Sequence, residues 1–187
     1  VYPANPDNEY GWEKLYAERM ALAVARNTGL EVRIARFQNC FGPEGTWDGG
    51  REKAPAALCR KIAMLPEEGG EIEVWGEGNA ERNFIYVDDL CDGIYTLTQN
   101  DTFKEPVNIG TTEIVTVNEL VDMIAEVSGK KVTRKHIPGP VGVLGRYQKV
   151  DKIQSLGWYP EWSMKDGMEE TYRWIEKQVK YKREFGD

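Results

Sequence analysis

Short β-branched runs alternating with amphipathic helical stretches constrain this chain more than any other feature. LEVRIARF at 30–37 alternates apolar and charged residues, which predicts a strand. Before it, 10–27 reads as a helix with Leu15, Leu22 and Ala23 at turn spacing and Gly29 as its stop. APAALCRKIAML at 54–65 predicts a short helix, and EIEVWGEGN a strand running into a turn. RNFIYVDDLCDGIYTLTQ begins as a strand and becomes a helix near Val87, and PVNIG is a short buried strand. Thr116 and Glu119 form a capping box before Leu120, Val121, Ile124 and Val127, a helix closed by Gly129. KVTRKHIP predicts a strand and DKIQSLGW a short helix. Ser163 with Asp166 caps a last helix that carries Met168, Tyr172, Ile175 and Val179 on one face. Strand and helix alternate throughout, so the class is α/β.

The 187 residues suffice for one sizeable domain or two small lobes. A net charge of −7 argues against nucleic acid as the main partner, because a phosphate backbone needs a basic face. No run approaches a membrane span and no signal sequence is evident. Cys40, Cys59 and Cys91 are scattered and odd in number, which suits free thiols in a reducing cytoplasm and small buried side chains. His136 has no Cys or His partner at metal-ligand spacing, so no metal site is expected. The opening at Val1, polar and broken by Pro3 and Pro6, reads as the interior of something longer.

Two stretches carry possible chemistry. In EYGWEK, Tyr10 and Lys14 are four apart, hence on one helical face. An ammonium beside a phenol favours the phenolate, which can take a proton from a substrate hydroxyl. The same spacing also arises by chance among so many tyrosines and lysines. The second stretch is NCFGPEGTWDGG, long for a connector and permissive in backbone, followed by Arg51, Glu52 and Lys53. A like charge disfavours the ammonium form of a neighbouring lysine, so Lys53 is a candidate acid or base on carbon; an ordinary solvated lysine is the alternative.

The order YGWEK, RIARFQNCFGP, RNFIYVDDLCDGI, PVNIG and LGWYP, spanning nearly the whole chain, resembles the C-terminal part of an extended short-chain dehydrogenase/reductase acting on nucleotide sugars. GTWDGGREKAPAALCRK and HIPGPVGVLGR resemble the GDP-mannose 3,5-epimerases within that superfamily. The resemblance implies the last part of a doubly wound Rossmann-type domain, about 1–40 and 84–111, and a small α/β substrate lobe, about 41–83 and 112–187. It places the glycine-rich cofactor turn before Val1, so that the chain alone would bind NAD poorly and turn over nothing. It implies NAD as cofactor, a GDP-mannose-like substrate and a homodimer pairing through Trp12, Leu15, Tyr16 and Met20. The implied chemistry oxidises the sugar at C4, moves protons at C3 and C5, and reduces C4 again.

Residue by residue, the resemblance makes Tyr10, Lys14 and Lys53 catalytic, with Tyr10 and Lys14 also facing the cofactor. Asn39, Glu52, Ala54, Lys61, Arg82 and Arg146 fall where substrate contacts are expected, and arginines match diphosphate oxygens. The second acid/base of that family is a cysteine before the tyrosine, a role none of the three cysteines here can fill. Where the family has Gln-Thr before its arginine, this chain has Ala80 and Glu81, which brings a negative charge near the phosphates. Gly139, Gly142 and Gly145 imitate a cofactor turn, but Pro140 and the late position favour a substrate loop. A 4-epimerase, dehydratase or decarboxylase of the same superfamily, or a non-catalytic binding fragment, stays open.

Overall fold

Parallel pairing organises the strands around 35–41. In the computed structural model, which describes residues 4–6, 8–139, 145 and 147–186, helix α1 (Glu9–Thr28) leads into β1 (Ala35–Phe37) and β2 (Asn39–Phe41). β1 pairs in parallel with β6 (Val107–Ile109), Ala35 opposite Val107. β2 pairs in parallel with β5 (Phe84–Tyr86), Cys40 opposite Ile85. Helix α3 (Val87–Thr98) follows β5 and leads to β6.

A second group of elements also contains a parallel pair. Helix α2 (Ala54–Ala63) precedes β3 (Gly69–Trp75), which pairs in parallel with β8 (Lys131–Ile137) along its whole length. A short antiparallel pair, β4 (Glu81–Arg82) with β7 (Val115–Thr116), stands before helix α4 (Val117–Ser128). Helices α5 (Asp151–Gln154) and α6 (Met164–Phe185) complete the chain. The α/β class read from the sequence is the class observed.

Two cores result. One gathers Ile85, Leu90, Leu97, Val107, Ile109, Val150, Ile153 and Trp158. The other joins α2, α4 and α6 over β3, with Ile62, Leu120, Ile124, Met168 and Tyr172 wholly buried. Burial of each such side chain is worth about 2 kcal/mol. β5 serves both, because successive side chains of a strand point to opposite faces: Ile85 enters the first core, Phe84 and Tyr86 the second. Gly93 lets α3 approach closely, since a Cβ there would lie 2.7 Å from Ile109 and 3.1 Å from Trp158.

Local signals act where the sequence places them. Asn8 caps α1, its Oδ1 accepting from the Gly11 amide at 3.1 Å, and Gly29 ends it at φ 73°. The Thr116–Glu119 capping box is complete, and Gly129 closes α4 at φ 71°. The strand expected over 30–37 forms only at 35–37, because β6 offers three residues of ladder; Arg33 instead donates to the Asn100 carbonyl at 3.0 Å. The short helix of DKIQSLGW stops at Gln154, ahead of Gly157 at φ 82°. β2 lies where the sequence reads as loop, while β4, ending at the Arg82 that opens the RNFIY strand, and β7, at the Thr116 cap, are two-residue strands that it does not set apart. Of the cysteines, Cys59 is buried, which pushes its thiol up, while Cys40 is half-buried and Cys91 exposed. The buried-thiol reading therefore holds for Cys59 alone. Among the described residues, no helix is long and apolar enough to cross a membrane.

Candidate active site

The glycine loop delivers Lys53 to the start of α2. Gly49 at φ 87° and Gly50 at φ 81° take the left-handed conformation that glycine adopts without strain. The chain then straightens at Lys53, the N-cap residue, whose carbonyl accepts from the Ala57 amide at 2.9 Å. The Lys53 side chain takes no part in capping and is exposed. Its neighbour Glu52 turns inward and accepts from Arg60 Nη2 at 2.7 Å. Burial would raise the Glu52 carboxyl; the amides of Glu52 and Gly50 and the Arg60 guanidinium outweigh it and hold the group below the usual carboxylate range.

Beside this turn lies a cleft of about 840 Å³ with an apolar floor that includes Leu58, Val74, Val115 and Leu120. Its walls bring together Glu52, Ala54, Lys61 and Arg82, four of the six residues expected to touch substrate. Lys61 Nζ donates to the Glu73 carbonyl at 2.7 Å, fixing the stem against β3. The 76–79 turn is pinned to α4 by Asn118, which donates from Nδ2 to the Glu77 carbonyl at 2.9 Å and from its amide to Gly78 at 3.0 Å. Gly78 permits this approach: it sits at φ 70°, and a Cβ would fall 2.2 Å from Asn118 Oδ1.

A second cleft, of about 300 Å³, holds Asn39 and again Arg82, with Gln38, Asn83 and Gln148. Arg82 thus belongs to both walls. Gln38 is buried and bonds Thr111 twice, from Nε2 to the carbonyl at 2.8 Å and from the Thr111 amide to Oε1 at 2.9 Å, which seats the start of β2. Asn83 Oδ1 and Gln148 Oε1 are buried and meet no donor among the described residues. Unpaired acceptors beside an arginine suit a ligand that offers hydroxyls as well as phosphates.

Tyr10 and Lys14 do meet on α1, the ammonium 5.3 Å from the ring centroid. They line neither cleft. Arg146, Pro140 and Gly142 lie outside the described residues. Gly139 packs on Trp75, and Gly145 bridges to Glu81. The Tyr147 hydroxyl donates to the Glu81 carboxylate, so the extra charge noted beside Arg82 is engaged. That bond also pushes the Tyr147 hydroxyl up. Gln38, Asn83, Gln148 and Arg60 were missed in the sequence. Asn83 adjoins Arg82 and was within reach; Arg60 is eight positions from Glu52, a separation with no periodic signal.

Comparison with known proteins gives a consistent picture. Residues 1–110 match the model of the NAD dependent epimerase/dehydratase family. The whole chain is 43% identical to the GDP-mannose 3,5-epimerase of Arabidopsis thaliana, and spans 48% of that relative. The UDP-glucose 4-epimerase of Thermotoga maritima, solved with UDP-glucose, superposes with a TM-score of 0.83 at 26% identity over 96% of this chain and 59% of that one. The UDP-glucuronic acid 4-epimerase of Bacillus cereus, solved with UDP-glucuronic acid and NAD, gives 0.79 at 25% identity over 94% and 54%. The chain spans about half the length of the curated relatives it matches.

Proposed function

The chain belongs to the NAD dependent epimerase/dehydratase family, and we propose that the protein it forms is an isomerase, a nucleotide-sugar epimerase acting on GDP-mannose at C3 and C5. The 43% identity to the Arabidopsis thaliana GDP-mannose 3,5-epimerase along the entire chain carries this reading. The cleft walled by Lys61 and Arg82 supports it, with cations placed for a diphosphate above an apolar floor. Asn39 and Arg146 complete the substrate contacts in this reading, with Glu52 and Ala54 at the edge where Lys53 stands.

The exposed face of α1 fits a nicotinamide cofactor: a phenol and an ammonium stand side by side, open to ribose hydroxyls. NAD, when bound, accepts a hydride from C4 and returns it. Tyr10 takes the proton of the C4 hydroxyl and gives it back, and Lys14 favours its phenolate. Hydrogens on C3 and C5 are acidic while C4 is a ketone, and Lys53 moves protons there. The two cores support a division into a cofactor part, about 1–40 and 84–111, and a substrate lobe, about 41–83 and 112–187, with 150–158 packing against the former. A homodimer through the Trp12, Leu15, Tyr16 and Met20 face of α1, working in the cytoplasm, completes the reading; Leu15 is half-buried and the other three side chains are exposed.

The test is solvent exchange. In heavy water the natural-length protein incorporates deuterium at C3 and C5 of GDP-mannose. The likeness of fold to UDP-glucose 4-epimerase favours a second reading, a 4-epimerase. Inversion at C4 with no deuterium on carbon would establish that one instead.

A further inference from the structure

We propose that Arg60 is a positioning residue: it clamps Glu52 and Asp48, the carboxylates on either side of the Gly49 and Gly50 turn, and so fixes where Lys53 enters α2. The consequence for turnover rests on the reading of Lys53 as the group that moves protons on carbon; the clamp itself does not.

Arg60 projects from α2 back toward the loop that precedes the helix. Its Nη2 bonds Glu52 Oε1 at 2.7 Å, and its buried Nε stands 3.7 Å from Asp48 Oδ1, an ion pair without a hydrogen bond. The Glu52 side chain is only 6% exposed and that of Arg60 23%, so water screens this pair little. Asp48 is held from the far side as well, by Lys182 Nζ of α6 at 3.0 Å. The stretch between the two acids holds both left-handed glycines. Such backbone loses the most conformational freedom on ordering, so it needs external ties to stay in one place.

A guanidinium can reach two carboxylates from one planar fork, which an ammonium cannot do in the same geometry. Glu52 is covalently next to Lys53. Release of Glu52 therefore moves the amine that must meet a ring carbon, and small misplacements at a reacting distance slow proton transfer steeply. Neither the Arg60 guanidinium nor Asp48 needs to touch substrate for this.

The test uses the natural-length protein and two readouts. In Arg60→Met, kcat for deuterium incorporation should fall about 100-fold, the scale of a misplaced reacting group, with a rise in KM for GDP-mannose of no more than about 10-fold, from the released Glu52 at the cleft edge. Arg60→Lys should recover only part of the rate. Amide hydrogen exchange over 49–53 should quicken in Arg60→Met, while α4 keeps its protection. Unchanged exchange over 49–53 in both Arg60 variants overturns the proposal, as does a kcat equal to the parent's while Lys53→Met is inactive. If Lys53→Met still incorporates deuterium, the role given to Lys53 fails, and the amide exchange alone decides the clamp.

Discussion

Helix α1 carries one lysine proposed for the chemistry and a second, Lys53, stands at the head of α2; the two helices are held in opposite ways. α2 buries Pro55, Leu58, Cys59, Ile62 and Ala63, while α1 buries no residue. The C-terminal end of α2 is capped from afar. Buried Lys130 donates to the carbonyls of Ile62, Ala63 and Leu65 at 3.2, 3.3 and 2.8 Å, and Arg183 to that of Met64 at 2.6 Å. Cations there complement the negative end of the helix dipole. Glu18 ties α1 to β1, accepting from Arg36 Nε at 2.6 Å and Nη2 at 2.5 Å. Much of its apolar surface is open, with Tyr10 67%, Trp12 53% and Tyr16 65% exposed. A lysine at the head of α2 is therefore placed by the chain's own packing. One on α1 needs whatever covers that face.

This contrast is open to attack at several points. The largest effect expected is at Lys130→Met, which strands three carbonyls in a buried site and should lower unfolding free energy by about 3 kcal/mol in urea titration. Acid should act next, through the loop in front of α2. Asp48, through its hydrogen bond to Lys182 and the Gly49 amide, and Glu52, as described, both titrate below the ordinary carboxylate value. Their folded-state values lie below the unfolded ones, so their stabilisation is complete above the unfolded value and lost as pH falls through the folded one. The loss should appear below about pH 4, and Asp48→Asn with Glu52→Gln should flatten that limb of a stability–pH curve. Thr116→Ala removes the α4 cap and should shift the urea midpoint by the equivalent of about 1 kcal/mol. Smallest is Glu18→Gln on α1, expected to change unfolding free energy by less than about 1 kcal/mol. A loss there as large as at Lys130→Met would contradict the difference drawn between the two helices.

Much of this was legible in the residues because its causes are local. The α4 capping box, Gly29 and Gly129 as helix ends, and the Ser163 cap depend on neighbours within four positions, and all are observed. Ladder length is not local. Residues 30–34 have the alternation of a strand, yet β6 is too short to pair with them. Strands of two or three residues carry no period to detect, which hid β2, β4 and β7. The gathering of Glu52, Ala54, Lys61 and Arg82 was expected from resemblance, whereas the partners that hold the site were not. Lys130 meets α2 from 65 to 68 positions away, and Lys182 meets Asp48 from 134, distances at which composition and spacing carry no signal.

The central claim is that the cleft at the head of α2 receives the nucleotide sugar, with Arg82 lining both it and the second, smaller cleft. Calorimetric titration of GDP-mannose into the natural-length protein, parent against Arg82→Ala, tests it most directly. The account predicts binding weaker by about 10- to 100-fold, the loss of a charge-assisted phosphate contact. An affinity equal to the parent's would place the substrate elsewhere and contradict it.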